Sequence, residues 1–599
     1  MISQNNIRNV AIIAHVDHGK TTIISKMYEQ SDGLVFGASI NLDNNTLEKE
    51  RGITILAKCT SINFGGIKYN IIDTPGHADF GGEVERILSM VDGAIILVDS
   101  SEGVMPQTKF VVSKALKAKI KPIVVINKID RADSRISEVI DEILGLFIAL
   151  DADDTQIDFP ILYAAGRDGW ATKEIDQKTD NLNIIFDTIK DTVSPPKVEH
   201  DSPFSMLATM LTSDQYVGRL LIGKIYSGSI KVGDSIKTMN LSGKTIEQTR
   251  LTKIFGFQGS SRVPIESAIA GDIIAVAGTT ITSVSDTICS LQVEKPIAST
   301  EIDPPTMSIT ISVNDSPFAG KEGSKVTSRT ILSRLEKEIE TNVAISLNVS
   351  SNGEKFEIGG RGELQLGILI ENMRREGFEM SVSRPKVLFK EDNGKKLEPY
   401  EELIIDTDEE FSGIIIEKLG SRRGEMIDMR SLGTGKTRLT FEIPSRCIIG
   451  YQSEFRNDTR GTGVLNRSFL GYRIFKGEIS GRRNGSLISN SDGEATAYSL
   501  YNLEERGAMF ISPNTKVYQG MIIGEHNRDN DLDVNVVRSK QLTNIRAAGS
   551  DENIKLTPIK SLTLEEMLSY IQDDEIVEVT PKSLRLRKIH LDPNKRKRK

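Results

Sequence analysis

Cysteine is scarce. Cys59, Cys289 and Cys447 are the only three in 599 residues, and they are far apart with no CxxC pair. Such spacing excludes a disulfide framework, argues against a thiolate metal site and fits a reducing compartment. Long apolar runs are missing as well: none approaches the ~18 residues of a membrane-spanning helix, so no membrane partner is expected. Low-complexity tracts and obvious internal repeats are absent before the tail. The apolar share of 38% and charged share of 26% are those of an ordinary soluble protein. A chain this long exceeds one core, and about four or five domains are expected. The net charge of −8 is unevenly placed: Lys582 to Lys599 holds nine Lys or Arg and one acid, Asp592. The acidic remainder argues against indiscriminate nucleic-acid binding. The basic end is a candidate contact to RNA phosphates, and its alternating Leu584, Leu586 and Ile589 read as ordered chain.

Four short segments carry the chemistry: AHVDHGKT (Ala14–Thr21), RGITI (Arg51–Ile55), DTPGH (Asp73–His77) and NKID (Asn127–Asp130). The apolar run Val10–Ala14 reads as a buried strand and Thr22–Gln30 as a helix. That strand–loop–helix setting makes the first segment a P-loop. Its Asp17, His18, Gly19, Lys20, Thr21 and Thr22 are the expected phosphate binders, with N–H groups and helix dipole facing the anion. Lys20 would reach the β- and γ-phosphates. Thr21 and Thr54 supply hydroxyl ligands for Mg²⁺, and Asp73, ending the strand Tyr69–Ile72, contacts it through water. Pro75-Gly76 turns the chain so that the Gly76 N–H can meet the γ-phosphate. Loss of that phosphate would release the Thr54 segment, an order–disorder switch. His77 follows the turn and is expected to orient the attacking water. In NKID, after the strand Ile123–Ile126, Asp130 can accept from guanine N1–H and its 2-amino group, which adenine cannot satisfy. Asn127 would hold the base and the loop, while the Lys128 stem packs over the base. The expected substrate is GTP, cleaved to GDP and phosphate.

These motifs resemble those of the translational GTPases, the family of elongation factors Tu and G. The resemblance implies that Val16 and Ile53 form an apolar gate beside His77, that Asp17 assists a monovalent cation, and that Ala14 in place of the usual glycine is tolerated. Further segments, among them LEKERGITILAK (Leu47–Lys58), GGRGELQLGILIENMRREGFE (Gly359–Glu379), SRPKV (Ser383–Val387), SEFRNDTRGTG (Ser453–Gly463), LTNIRAAGSDE (Leu542–Glu552) and VEVTPKSLRLRKIHL (Val577–Leu591), are similar to the TypA/BipA subfamily. Departures are Gln365, where many members have His, and Ala165 for Ser in the guanine O6 loop. That contact uses backbone N–H, so Gly166 can supply it. What the resemblance implies is a ribosome-stimulated GTPase that is cytoplasmic and monomeric. It would bind rRNA and possibly A-site tRNA, and act in large-subunit assembly and under cold or other stress. The alternatives are a LepA-like or elongation-factor-like role in the translation cycle, or a GTP-controlled binding module whose hydrolysis is incidental. The P-loop begins by residue 14, which leaves no expected room for a leader peptide.

The expected fold is multidomain α/β and β. Residues 1–200 alternate strands and helices, as a P-loop GTPase domain; 201–298 are short strands broken by glycine, as a Tu-type β-barrel. Residues 299–386 and 387–479 read as two ferredoxin-like α+β domains, similar to domains III and V of elongation factor G. Residues 480–599 form a distinctive C-terminal domain with the basic tail. In its loop, Lys540, Asn544 and Arg546 are candidate RNA contacts by family likeness. Arg374 and Arg375 on a helix read as a solvated face more than an RNA contact.

Overall fold

The computed structural model describes residues 6–15, 17–32, 46–51, 54, 57–75, 80–150, 152–214, 216–299, 304–392, 394–433, 435–477, 484–539 and 555–596. The chain divides into two compact units, Met1–Asp303 with Glu340–Val343 and Pro304–Ile339 with Ala344–Lys599.

The first unit opens with a seven-stranded sheet. Its strands are β1 (Ile7–Ala14), β2 (Lys58–Phe64), β3 (Ile67–Asp73), β4 (Gly93–Asp99), β5 (Lys121–Asn127), β6 (Ile161–Ala165) and β7 (Trp170–Thr172), in the order β2-β3-β1-β4-β5-β6-β7. β3, β1, β4, β5 and β6 are parallel, and β2 and β7 run antiparallel at the edges. The central strands are apolar without interruption because helices cover both faces. Val10, Ile12, Ile95, Leu97, Ile123 and Val125 pack against Ile23, Ile24 and Met27 of helix α1 (Lys20–Glu29), and against Ile185, Phe186 and Ile189. On the opposite face Ala11, Ile13, Ile96, Val98, Val124 and Ile126 meet Ile87, Leu88, Val111, Val112, Val139 and Phe147. The parallel order places the carboxyl ends of β1, β3, β4, β5 and β6 along one rim, where ligands of such sheets bind.

Residues 205–290 form the expected β domain, an eight-stranded antiparallel sheet. A polar seam fastens it to the first sheet. Asp272 accepts from Lys68 Nζ at 2.7 Å and from Asn70 Nδ2 at 3.2 Å. Lys224 Nζ meets Asp92 at 2.8 Å, and Asn9 Nδ2 donates to the Gly271 carbonyl at 3.0 Å.

The second unit contains two β-α-β-β-α-β repeats. The first has β8 (Met307–Val313), α2 (Ser328–Thr341), β9 (Ser346–Val349), β10 (Lys355–Gly360), α3 (Glu363–Arg375) and β11 (Met380–Ser383), with strand order β9-β10-β8-β11. The second has β12 (Lys395–Asp408), α4 (Glu409–Ser421), β13 (Glu425–Gly433), β14 (Lys436–Pro444), α5 (Tyr451–Asp458) and β15 (Val464–Ile474). β14 pairs with β12 and β13, and β15 lies on the other side of β12. Both are ferredoxin-like. The C-terminal strands β16 (Met521–His526), β17 (Glu575–Val579) and β18 (Leu584–Lys588) extend the first of these sheets through β11–β17, β17–β18 and β18–β16. Residues 299–386 and the C-terminal segment therefore share one sheet, a connection that local periodicity does not carry.

Part of the basic C-terminal stretch departs from expectation, while Lys582 and Lys595 are exposed. Arg585 pairs with Glu322 and Glu578, Arg587 with Asp315, and Arg596 with Asp533. Lys588 meets Asp531, Asp574 and Glu575 at 2.5, 2.8 and 2.9 Å. These cations are matched by acids of this same unit, so the 585–588 stretch is internal ion pairing and not a surface for phosphates. Lys597, Arg598 and Lys599 lie outside the described residues. Arg374 and Arg375 both pair with Glu371 at 2.9 Å. Gln365 is buried, its Oε1 accepting from the Arg361 N–H at 2.9 Å.

Candidate functional site

A cavity of 720 Å³ opens beside the carboxyl ends of β1 and β5. Asp17, Gly19, Lys20, Thr21, Thr22, Thr54, Asn127, Lys128 and Asp130 line it, so nine of the residues singled out from sequence meet in one place. The loop after β1 bends by placing Asp17 at φ 64° and Gly19 at φ 92°. A Cβ on Gly19 would stand 2.3 Å from Asn127 Nδ2, so only glycine fits. No side chain caps α1, which begins at Lys20. The positive end of its dipole suits an anion there.

At the cavity floor Lys20 Nζ donates to Asp73 Oδ1 at 2.5 Å and to Thr54 Oγ1 at 2.7 Å. Burial raises the Asp73 carboxyl pKa, and the Lys20 ammonium opposes that rise. A hydroxyl and a carboxylate thus converge on one cationic atom. Such hard oxygen donors, with the Thr21 hydroxyl on the same cavity wall, suit Mg²⁺. Among the described residues no group of three or more His, Cys, Asp or Glu could hold a metal.

Asn127 is 2% exposed and ties two loops together. Its Nδ2 donates to the His18 carbonyl at 2.8 Å, and its Oδ1 accepts the Gly166 N–H at 2.9 Å. One expectation changes here: the Gly166 N–H, expected at guanine O6, is directed to Asn127. Asn127 holds the loops through one bond at each end of its amide. Ala165 is wholly buried at the end of β6. His18 turns its ring away from the cavity, with Nδ1 3.3 Å from the Leu97 carbonyl and Nε2 3.4 Å from Glu102. Burial lowers its pKa against the pull of that carbonyl. Only its backbone serves the phosphate loop.

The cavity also recruits His15, Glu48, Arg131 and Arg167, which sequence reasoning did not assign. Another unforeseen residue is Asp99, a buried acid ending the apolar strand β4, which meets Lys128 Nζ at 2.7 Å. An acid at the carboxyl end of a parallel strand is the signal that points to it. Val16, Ile53, Gly76, His77, Lys540, Asn544 and Arg546 lie outside the described residues.

The sheet order, the glycine-bent loop and the guanine-type loop after β5 define a P-loop nucleotide-binding protein. Comparison with known proteins agrees. Residues 5–211 match the elongation factor Tu GTP binding domain, 218–289 elongation factor Tu domain 2, 395–483 the elongation factor G C-terminus and 484–593 the TypA/BipA C-terminal domain. The large ribosomal subunit assembly factor BipA of Haemophilus influenzae is 49% identical over 603 residues, covering 100% of this chain and 98% of its own. Its counterparts in Bacillus subtilis and Escherichia coli K12 are each 47% identical over 99% of this chain and 98% of theirs. The chain belongs to the TypA/BipA family of translational GTPases.

Proposed function

We propose that this protein hydrolyses GTP on a ribosomal particle and acts in assembly of the large ribosomal subunit. The observation that carries the reading is the set of relatives named as large-subunit assembly factors, aligned over nearly the whole of both chains. The cavity supports the chemistry. Lys20 and the N-terminus of α1 bind the β- and γ-phosphates, Asp130 reads the guanine edge, and Asn127 with Gly166 fixes the two loops around the base. Thr21, Thr54 and Asp73 are the residues that would hold Mg²⁺, which neutralises charge developing on the phosphate oxygens when bound. His77 orients the attacking water behind the Val16–Ile53 gate, Gly76 reaches the γ-phosphate, and Asp17 faces a monovalent cation. Positioning by the ribosome accounts for activation, because phosphoryl transfer gains most from fixed charges and a fixed water. Lys540, Asn544 and Arg546 are the RNA contacts of the C-terminal loop, the protein working as a cytoplasmic monomer.

GTP turnover with and without 70S ribosomes and large-subunit precursors tests this. Stimulation by either particle, abolished in His77→Ala while GDP affinity stays within a few fold, is the expected result. Absence of stimulation by both, or full stimulation of His77→Ala, sinks the proposal.

A further inference from the structure

The segment Asp99–Ser100–Ser101 lies beneath the guanine-reading loop and holds it at several points. The Ser100 N–H donates to the Asn127 carbonyl at 2.9 Å, and Ser100 Oγ donates to the Lys128 carbonyl at 2.9 Å. The Asp99 carboxylate accepts the Ser101 N–H at 2.8 Å and the Ser101 hydroxyl at 2.7 Å through Oδ1. Its Oδ2 faces Lys128 Nζ at 2.7 Å and Arg131 Nη1 at 3.6 Å. Asp99 has no solvent exposure, whereas the Lys128 side chain keeps 27%. Its own N–H points at His18 Nδ1, 3.3 Å away, and the His18 carbonyl closes the circuit to Asn127.

Lys128 sits at φ 60°, the left-handed region that a lysine adopts only when its surroundings enforce it. The surroundings here are one buried charge and one hydroxyl from a neighbouring strand end. A long flexible side chain is thereby held at both ends, at its backbone by Ser100 and at its ammonium by Asp99. What remains for contact is the methylene stem between them, and it lies along the wall that Asn127 and Asp130 share.

We propose that Asp99 is a positioning residue for purine recognition: it holds the Lys128 ammonium so that the stem is presented flat to the guanine ring. The inference rests on the guanine-nucleotide reading of the cavity. It assigns the pocket a base-stacking wall set in advance of binding, and the ordering of a rotamer-rich side chain is then no longer a cost of binding. The Asp99 carboxylate stays charged across the working range. Burial alone would raise the Asp99 carboxyl, but Lys128 and the Ser101 donors hold it down at about 2.

A double-mutant cycle tests it, with the full-length protein and GDP binding measured by fluorescence of a labelled nucleotide. Asp99→Asn, nearly the same shape without the charge, is expected to weaken GDP binding roughly tenfold, or ~1.4 kcal/mol. Lys128→Met keeps the stem and removes the ammonium. In that background Asp99→Asn is expected to change affinity by less than twofold, because nothing is left to position. An Asp99 that merely stabilises the fold would cost the same in both backgrounds, and that result overturns the proposal. Unchanged affinity in Asp99→Asn alone overturns it too. Should Asp99→Asn not fold, Ser100→Ala carries the test without touching the buried charge. It removes one hydrogen bond from the Lys128 backbone carbonyl and is expected to speed GDP release about threefold; unchanged release would overturn the proposal. Failure of the unmutated protein to bind GDP at all would instead overturn the nucleotide reading of the cavity, and this inference with it.

Discussion

Asn127→Ala separates a residue that reads guanine from one that builds the site. In the structure its amide donates to the His18 carbonyl and accepts the Gly166 N–H, at 2.8 and 2.9 Å, in a place only 2% exposed. Truncation strands two buried backbone groups, each costing about 1–3 kcal/mol when unsatisfied. The two losses share one residue and one pair of loops, so they do not add fully, and about 2–4 kcal/mol in total is expected. The loops are coupled to both fold and ligand, which divides that sum between stability and binding. Calorimetry should show Tm lowered by a few degrees, at about 2–4 °C per kcal/mol for a unit of this size. GDP titration should show affinity weakened about 10- to 100-fold, each factor of ten being ~1.4 kcal/mol. The signature that distinguishes the two roles is discrimination. A positioning residue lowers affinity for GDP and for 7-deaza-GDP alike, since it does not depend on the ring N7 acceptor that the analogue lacks. A loss much larger for GDP than for 7-deaza-GDP would mean that the Asn127 amide donates to guanine directly. Full GDP affinity in Asn127→Ala would refute the reasoning altogether.

Asp130, exposed at the cavity lip, should behave oppositely: Asp130→Asn is expected to leave Tm within a degree or two, lose GTP and gain xanthosine triphosphate, whose C2 carbonyl accepts the new amide donor. Equal use of GTP by wild type and mutant would remove Asp130 from base recognition. Glu247 offers a pH test in the β domain, accepting the N–H groups of Thr280, Ile281 and Thr282 and both threonine hydroxyls. Burial would raise this carboxyl, but those donors outweigh it and hold it at about 2, below its ordinary 4.5. The folded value is depressed, so the stabilisation is complete above pH ~4.5 and fades as pH falls toward ~2. Melting curves should therefore show wild type and Glu247→Gln converging on acidification, and a constant gap between pH 6 and pH 3 would contradict the assignment.

What the sequence disclosed and what it hid follow from the range of the interactions involved. The apolar run Val10–Ala14, the glycine at Gly19 and the hydroxyls and amines of the P-loop are local signals, because a strand, a left-handed turn and a helix start are each set by a few neighbouring residues. The cavity assembled around them as expected, as nine of its lining residues show. Charge was read less well, and for a definite reason. Arg585, Arg587 and Lys588 form a basic run in sequence, but their partners Glu322, Asp315 and Asp531 come from elsewhere in the chain. Pairing of β17 with β11 brings residues nearly two hundred positions apart side by side, and only then does a basic strand become an ion-paired strand within an extended sheet. Asp99 teaches the same lesson at the site. By sequence it is an acid ending an apolar strand; the parallel alignment of β4 with β5 sets Asp99 opposite Asn127, one residue from Lys128. Motifs thus name the groups that touch a ligand, while the groups that hold them in place belong to strand order, and it is there that a mutation will alter this nucleotide site without altering any motif residue.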